Sequence, residues 1–230
     1  IQSIIEYFSK MQRILIFIFA INSIASFGQR SLQSISLNLH SGSSNHIGEL
    51  ASNDANAILQ EARNSFGGEF SFYTGPKWGV GVELDYGRLY ADNANHNKDN
   101  YQGVLVRSSF FNSAIRVTHN ILPFGKYWKR NSVTPYIFTI GGVLFSQSKF
   151  MTNIIYPTNC IFNPGTNISG TYGGGIGIKI RHNEHWTSNA EIYNYQVPGD
   201  RLEGFHLAGD TSPDILLGIR FGINYSIYTW

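Results

Sequence analysis

The chain has 230 residues, a formal net charge of +2, 14% charged residues, 14% aromatics and 24 glycines. Soluble domains average about 25% charged residues, and no linker-like stretch divides this chain, so it reads as one domain, or one domain and a leader. The composition excludes spanning helices, which need about 20 consecutive apolar residues, and the dispersed basic residues leave no nucleic-acid footprint.

The one apolar run lies near the start. Lys10 and Arg13 precede the run Ile14 to Ile21, and small residues follow at Ser23, Ala25, Ser26 and Gly28. Basic, apolar and small segments in that order predict a cleavable secretory signal, whose apolar core is too short to span a bilayer. Residues 1–28 are expected to be an upstream extension and signal peptide, with translation starting at Met11 and cleavage after Ala25 or Gly28. Residues 29–230 are then the mature domain. No Cys follows the apolar core, so lipoprotein anchoring is not indicated. Cys160 is the single cysteine, which leaves neither an intrachain disulfide nor a cysteine metal cluster; it reads as an incidental loop thiol.

From there the chain alternates. Ile35, Leu37 and Leu39 against Ser36, Asn38 and His40 predict a first strand running to about Ser44, and Asp54 to Arg63 predicts a short helix. Phe66, Gly68, Phe70 and Phe72 mark the second strand, and Gly75-Pro76-Lys77 a tight turn. In the third, Trp78, Val80, Val82, Leu84 and Tyr86 oppose Gly79, Gly81, Glu83, Asp85 and Gly87. A polar loop, Asp92 to Asn100, leads to the fourth strand, Arg107 to His119, where Phe111, Ile115 and Val117 oppose Asn112, Ala114, Arg116 and Thr118.

The fifth strand, Pro135 to Ser148, has Tyr136, Phe138, Ile140 and Leu144 on one face and a mixed set on the other, so its register is open. A loop from Lys149 to Ser169 follows. The sixth strand sets Tyr172, Ile176, Ile178 and Ile180 against Gly173, Gly175, Gly177, Lys179 and Arg181. Asn183-Glu184 turns into the seventh, Trp186 to Gln196, and Val197 to Ser212 is the last long loop. The eighth strand is the cleanest: Leu217, Ile219, Phe221, Ile223, Tyr225 and Ile227 alternate with Gly218, Arg220, Gly222, Asn224, Ser226 and Tyr228.

Eight strands of roughly 9 to 13 residues suffice to cross an apolar band of about 25 Å when tilted. Their connections alternate long and short, as expected when the long ones lie outside the cell and the short ones in the periplasm. The predicted fold is an all-β, eight-stranded antiparallel transmembrane barrel of the bacterial outer membrane. Period two is shared with soluble lipocalin-like barrels, and the polar set decides between them. That set is Gly with Glu69, Glu83, Asp85 and Glu191 against Arg116, Lys179, Arg181 and Arg220, which suits a narrow lumen plugged by its own ion pairs. Trp78, Tyr86, Tyr136, Trp186 and Trp230 are expected in interfacial girdles.

No catalytic, cofactor-binding or metal residues are assigned. Gly173-Gly174-Gly175-Ile176-Gly177 lacks the GKS/T ending of a phosphate loop and reads as small lumen residues. The seven histidines, at 40, 46, 96, 119, 182, 185 and 206, show no ligand spacing. His206 with Asp210 or Ser212 is the one arrangement a lipid-modifying enzyme could use, but no activating third group accompanies it. The turn bearing Lys126, Tyr127, Trp128, Lys129 and Arg130 is long for a periplasmic connection. It reads either as an interfacial anchor or as a contact to a periplasmic partner.

The segment Ser43-Ser44-Asn45-His46-Ile47-Gly48-Glu49-Leu50 is similar to a G-S-N-Y-I-G-D-L signature. Thr134 to Phe145 resembles a P-Y-x-F-x-G-I-G-V-F segment, and Tyr86-Gly87-Arg88 is also similar. Both signatures are those of the PorG-like outer-membrane barrels of the Bacteroidetes type IX secretion system, and the resemblance covers most of the mature chain. Glu49 and His46 replace the usual Asp and Tyr, and Thr139 stands where that family is small. The resemblance implies a non-enzymatic part of a secretion machine, associated with PorK/PorN-like periplasmic ring proteins and with outer-membrane lipid, and without cofactor or small-molecule substrate. The other readings are a stand-alone OmpX- or OmpA-like barrel whose surface loops bind or adhere, and a lipid-modifying barrel enzyme.

Overall fold

A strand with one apolar and one polar face still exposes unpaired backbone groups along both edges. In lipid these edges can be satisfied only if the sheet closes on itself. The computed structural model describes residues 34–47, 60–92, 95, 104–126, 128, 130–152, 160–162, 165–198, 202, 205–207 and 213–228. It shows that closure. The strands are β1 (Ser34–Ile47), β2 (Arg63–Tyr73), β3 (Trp78–Asp92), β4 (Val104–Asn120), β5 (Val133–Thr152), β6 (Cys160–Phe162), β7 (Gly165–Arg181), β8 (Trp186–Val197), β9 (Phe205–Leu207) and β10 (Asp214–Tyr228). Eight of them form a closed antiparallel barrel in the order β1-β10-β8-β7-β5-β4-β3-β2, and β6 pairs with β9 in a separate two-stranded sheet. The closing seam runs in register from Ser34 opposite Tyr228 to Ile47 opposite Ile215.

Among the described residues no helix is long and apolar enough to cross a membrane; the chain crosses with strands. The side-chain split shows which face meets lipid. Leu39, Phe221, Ile176 and Ile115 point outward with more than 60% of their surface exposed, while Glu83, Arg116, Glu191 and Arg220 are at most 2% exposed. An apolar exterior around a charged interior is the reverse of a soluble barrel and defines an outer-membrane protein. The short turns and both strand termini, Ser34 and Tyr228, lie at one end, the periplasmic end by this rule, and the long connections at the other.

Several boundaries differ from expectation. β1 runs on to Ile47, so the signature residues Ser43 to Ile47 are strand rather than the start of a loop. Of the predicted helix at 54–63, residues 54–59 lie outside the described residues, Gln60 and Glu61 are helical, and Arg63 already opens β2. β5 extends to Thr152, and the loops on either side of β7 and β8 contribute β6 and β9. Pairing with a long neighbour lengthens a strand beyond its own hydrophobic pattern: Arg107 opposite Lys149 and Val104 opposite Thr152 continue the ladder past the apolar zone. Residues 1–33, with the expected leader, lie outside the described residues, as do Trp230, Asp210 and Ser212.

Strand β5 resolves the ambiguous register. Tyr136, Phe138, Ile140 and Leu144 face the lumen, and Ile137, Thr139, Gly141, Val143 and Phe145 face lipid. Tyr136 is therefore a lumen residue, 1% exposed, and not part of a girdle. Its face looked like a lipid face because the outer half of the lumen is itself apolar: Leu89, Phe110, Leu144, Val197, Leu202 and Leu216 pack together there. Leu202 comes from the last outer connection, and its backbone is pinned by Ser108 Oγ donating to its carbonyl (2.6 Å) and by its amide donating to Asp214 Oδ2 (2.9 Å).

Adjacent glycines on β5 give a direct test of which face is which. A Cβ on Gly142 would stand 2.2 Å from the Ser113 carbonyl oxygen and 2.5 Å from the Ala114 Cα, whereas one on Gly141 would meet nothing within 4 Å. Gly142→Val should lower barrel stability by about 1–3 kcal/mol, the usual cost of overpacking. Gly141→Val should leave the urea midpoint of the folded barrel in detergent unchanged. Equal effects at the two positions would contradict this register.

Candidate functional site

Two places in the barrel concentrate chemistry, the middle of the lumen and the periplasmic turn between β4 and β5. In the middle, Glu69 on β2, Glu83 and Asp85 on β3, Arg116 on β4, Glu191 on β8 and Arg220 on β10 all occupy inward positions of the strand alternation. Gly67, Gly81, Gly175, Gly177 and Gly222 line the same wall and leave room for these long side chains.

The two guanidiniums share the carboxylates. Arg116 donates from Nη1 to Glu83 Oε2 (2.5 Å), from Nη2 to Glu191 Oε1 (2.7 Å) and from Nε to Thr118 Oγ1 (3.2 Å). Its Nε also lies 3.6 Å from Glu69 Oε2. Arg220 donates from Nε to Glu191 Oε2 (2.6 Å), from Nη2 to Glu83 Oε2 (2.7 Å) and from Nη1 to Asp85 Oδ1 (3.2 Å). Phe138 lies 3.7 Å beneath the Arg116 guanidinium, and Tyr193 lies 5.0 Å from that of Arg220. Neutral donors complete the carboxylates: Tyr195 OH to Glu83 Oε1 (2.8 Å), Asn189 Nδ2 to Glu191 Oε1 (3.2 Å), and Tyr136 OH to the same Glu191 oxygen. His40 Nε2 lies 2.6 Å from Asp85 Oδ1 and 3.3 Å from Arg220 Nη1.

The expected charge network is thus brought together in six of its eight members, with two corrections. Lys179 sits one layer toward the periplasm. There its Nζ donates to Tyr73 OH (2.6 Å) and Asn120 Oδ1 (3.3 Å) and lies 4.5 Å from the Tyr136 ring centre. Arg181 lies at the mouth, where its Nη1 donates to the carbonyls of Gly125 (2.6 Å) and Trp128 (3.3 Å). Its alternation is that of a lumen residue, but it falls at the last position of β7, where the lumen has ended. Asp85 pairs with Arg220 and with His40. His40, Tyr136, Asn189, Tyr193 and Tyr195 belong to the cluster and were not assigned to it from the sequence; the signal available was their inward parity on β1, β5 and β8.

Among the described residues, apolar packing covers the cluster on its outer side. On the periplasmic side the cavity lined by Ser36, Tyr73, Asn120, Lys179, Thr187 and Asn224 is about 30 Å³, room for a single water. Among the described residues no three His, Cys, Asp or Glu side chains converge as a metal set. His206 lies on β9, while its suggested partners Asp210 and Ser212 lie outside the described residues.

The periplasmic turn is ordered by its own hydrogen bonds. Trp128 N donates to Gly125 O (3.1 Å), Asn131 N to Trp128 O (3.0 Å), and Asn131 Nδ2 to Pro123 O (2.9 Å). Gly125 adopts φ of +136°, a backbone conformation that only glycine takes without strain. Lys126 Nζ lies 3.4 Å from Glu184 Oε2 of the neighbouring turn. Trp128 and Arg130 remain exposed, whereas Tyr127 and Lys129 lie outside the described residues.

No protein-family model matches the chain, and no curated protein matches it by sequence. Among solved structures the fold is similar to Neisserial surface protein A, with a TM-score of 0.52 and 8% identity over 83% of this chain and 96% of that one. Ail, the attachment invasion locus protein of Yersinia pestis, is similar at a TM-score of 0.46 and 9% identity, over 86% of this chain and 100% of Ail. OprG from Pseudomonas aeruginosa is similar at 0.44 and 12%, over 88% and 99%. The architecture is that of a small outer-membrane β-barrel, in agreement with the apolar exterior.

Breaking the cluster should be costly. Among the described residues Arg116→Met strips Glu69 of the one cation near it and Glu83 and Glu191 of one of two, a penalty of about 3–5 kcal/mol for uncompensated buried charge. The expected result is a lower urea midpoint in detergent. Adding Glu69→Gln to that variant should restore part of the loss, since neighbours in one network are not additive. A double variant that is less stable than the single would contradict the pairing.

Proposed function

We propose that the protein is a structural, non-conducting component of the outer membrane that anchors a periplasmic assembly of a secretion machine. The observation that carries this reading is the ordered periplasmic turn. Its hydrogen bonds and the Arg181 clamp hold the backbone in place, yet Trp128 keeps 44% of its surface exposed. Trp and Arg are the side chains that most often dominate binding energy, and a rigid platform lowers the entropy lost on binding. The lumen supports the same reading, because a barrel filled by a buried ion cluster and an apolar plug has no solute path to offer. The resemblance of Ser43 to Leu50 and of Thr134 to Phe145 to PorG-like barrels points to PorK/PorN-like ring proteins as the partner.

A second reading, a surface barrel acting through its outer connections, is favoured by one observation. The two long connections flanking β7 and β8 are tied together outside the barrel by β6 and β9, with Cys160 opposite Leu207 and Phe162 opposite Phe205. Loops joined in this way present a surface.

Trp128→Ala combined with Arg130→Ala separates the two. Both side chains are exposed, so the variant should insert and keep the heat-modifiable gel shift of the folded barrel. Removing a hot spot costs about 2 kcal/mol or more, roughly 30-fold in affinity, so ring proteins should no longer copurify from native membranes and secretion should fall. Unchanged copurification and secretion would refute the role of this turn and favour the surface reading.

A further inference from the structure

The strand register lines up Phe66, Tyr86, Phe111 and Phe145 across β2, β3, β4 and β5. All four lie on the lipid-facing side, with the Phe66 and Tyr86 rings 5.2 Å apart and those of Phe111 and Phe145 6.3 Å apart. On β3 this row stands eight residues from Trp78, the periplasmic aromatic, or about 27 Å along a tilted strand. It marks the outer edge of the apolar belt.

Directly beyond that row, on the same outward face, the side chains turn basic. Arg88 follows Tyr86 by two residues, and one further row places Tyr90 opposite Arg107 and Arg107 opposite Lys149. Arg88, Arg107 and Lys149 are exposed, and none has a carboxylate of the described residues within ion-pair distance. Arg63 on β2 stacks 4.3 Å over the Tyr90 ring. Of the acids described nearby, Asp92 accepts from Tyr90 OH (3.1 Å), and Glu61 Oε1 accepts from the Asp92 amide (2.8 Å) and from Asn95 Nδ2 (2.9 Å). At a strand rise of about 3.4 Å per residue, Arg88 lies ~7 Å and Arg107 with Lys149 ~14 Å along the strands past the aromatic row. That is the depth of lipid headgroups.

The far side of the barrel is different. At outward positions near the same end, β7, β8 and β10 carry Thr166, Ile168, Asn194, Gln196, Ile215 and Leu217, and no charge. A general interfacial anchor would place basic residues around the whole circumference, whereas among the described residues this patch is carried by β3, β4 and β5, with Arg63 of β2 at its edge. Three unpaired cations set just above an aromatic row fit a phosphate held at a membrane surface.

We propose that this patch is a binding site for the phosphate of a lipid A-type glycolipid in the outer leaflet. The glycolipid's acyl chains would lie on Leu84, Ile115 and Val143, beside the open positions Gly141 and Gly170. The site is independent of the periplasmic turn and holds whether or not that turn docks a partner.

The test titrates the folded full-length barrel in non-ionic detergent with bisphosphorylated lipid A, and bound lipid is read by native mass spectrometry. Dephosphorylated lipid A and phosphatidylglycerol serve as the comparison lipids. Wild type should retain one bisphosphorylated lipid A. It should bind the dephosphorylated form and phosphatidylglycerol at least tenfold more weakly. Arg88→Gln, Arg107→Gln, Lys149→Gln together should weaken binding by about 100-fold, the loss of three surface cations, while the heat-modifiable gel shift is kept. A Thr166→Gln, Asn194→Gln control on the uncharged side should bind as wild type. Equal binding of phosphorylated and dephosphorylated lipid, a triple variant that binds like wild type, or stronger retention of phosphatidylglycerol would each overturn the proposal.

Discussion

The structure depends on two guanidiniums held among shared carboxylates. Arg116 and Arg220 both reach Glu83 and Glu191. Two cations and two shared anions therefore form a single unit that spans the lumen from β3 and β4 to β8 and β10. Burying such charges costs several kcal/mol each, and they are tolerated only when every donor and acceptor finds a partner. The tyrosines at 136 and 195, Asn189 and His40 supply that completion. Their polar ends reach the cluster while their rings fill the volume around it, so one set of side chains both satisfies the charges and packs the wall.

The interior is layered in a way that follows from this unit. Toward the outside the wall is apolar and is capped by Leu202. Toward the periplasm it is polar, with Lys179 lying against tyrosine rings rather than a carboxylate. Around the two arginines the barrel carries four carboxyls, and Lys179, one layer away, is positioned to offset part of that acidic excess through the intervening Tyr136. A lumen filled in this way among the described residues leaves the outer rim, the lipid-facing wall and the periplasmic turns as the surfaces on which the molecule can act.

Most of the fold was legible in the sequence because lipid enforces period two on one face of every strand. The runs Trp78 to Tyr86 and Leu217 to Ile227 show it without interruption. β5 was not legible, since Tyr136, Phe138, Ile140 and Leu144 pack the apolar layer of the lumen while Ile137, Val143 and Phe145 meet lipid, leaving two apolar faces and no contrast between them. The identity of the charged residues could be read from their parity, but their pairing could not. Arg220 and Glu83 are separated by 137 positions, and which cation meets which acid depends on the tilt and stagger of the closed barrel. Arg181 shows the same limit at a strand end, where parity persists after the lumen has stopped.

The position of Arg220 on the last strand bears on the order of assembly. Until β10 joins β1 and β8, Glu83, Asp85 and Glu191 face one another with Arg116 as their single guanidinium, and an open sheet of seven strands carries an unbalanced acidic stripe on its concave side. The final pairing step therefore supplies the counter-charge and the missing edge together.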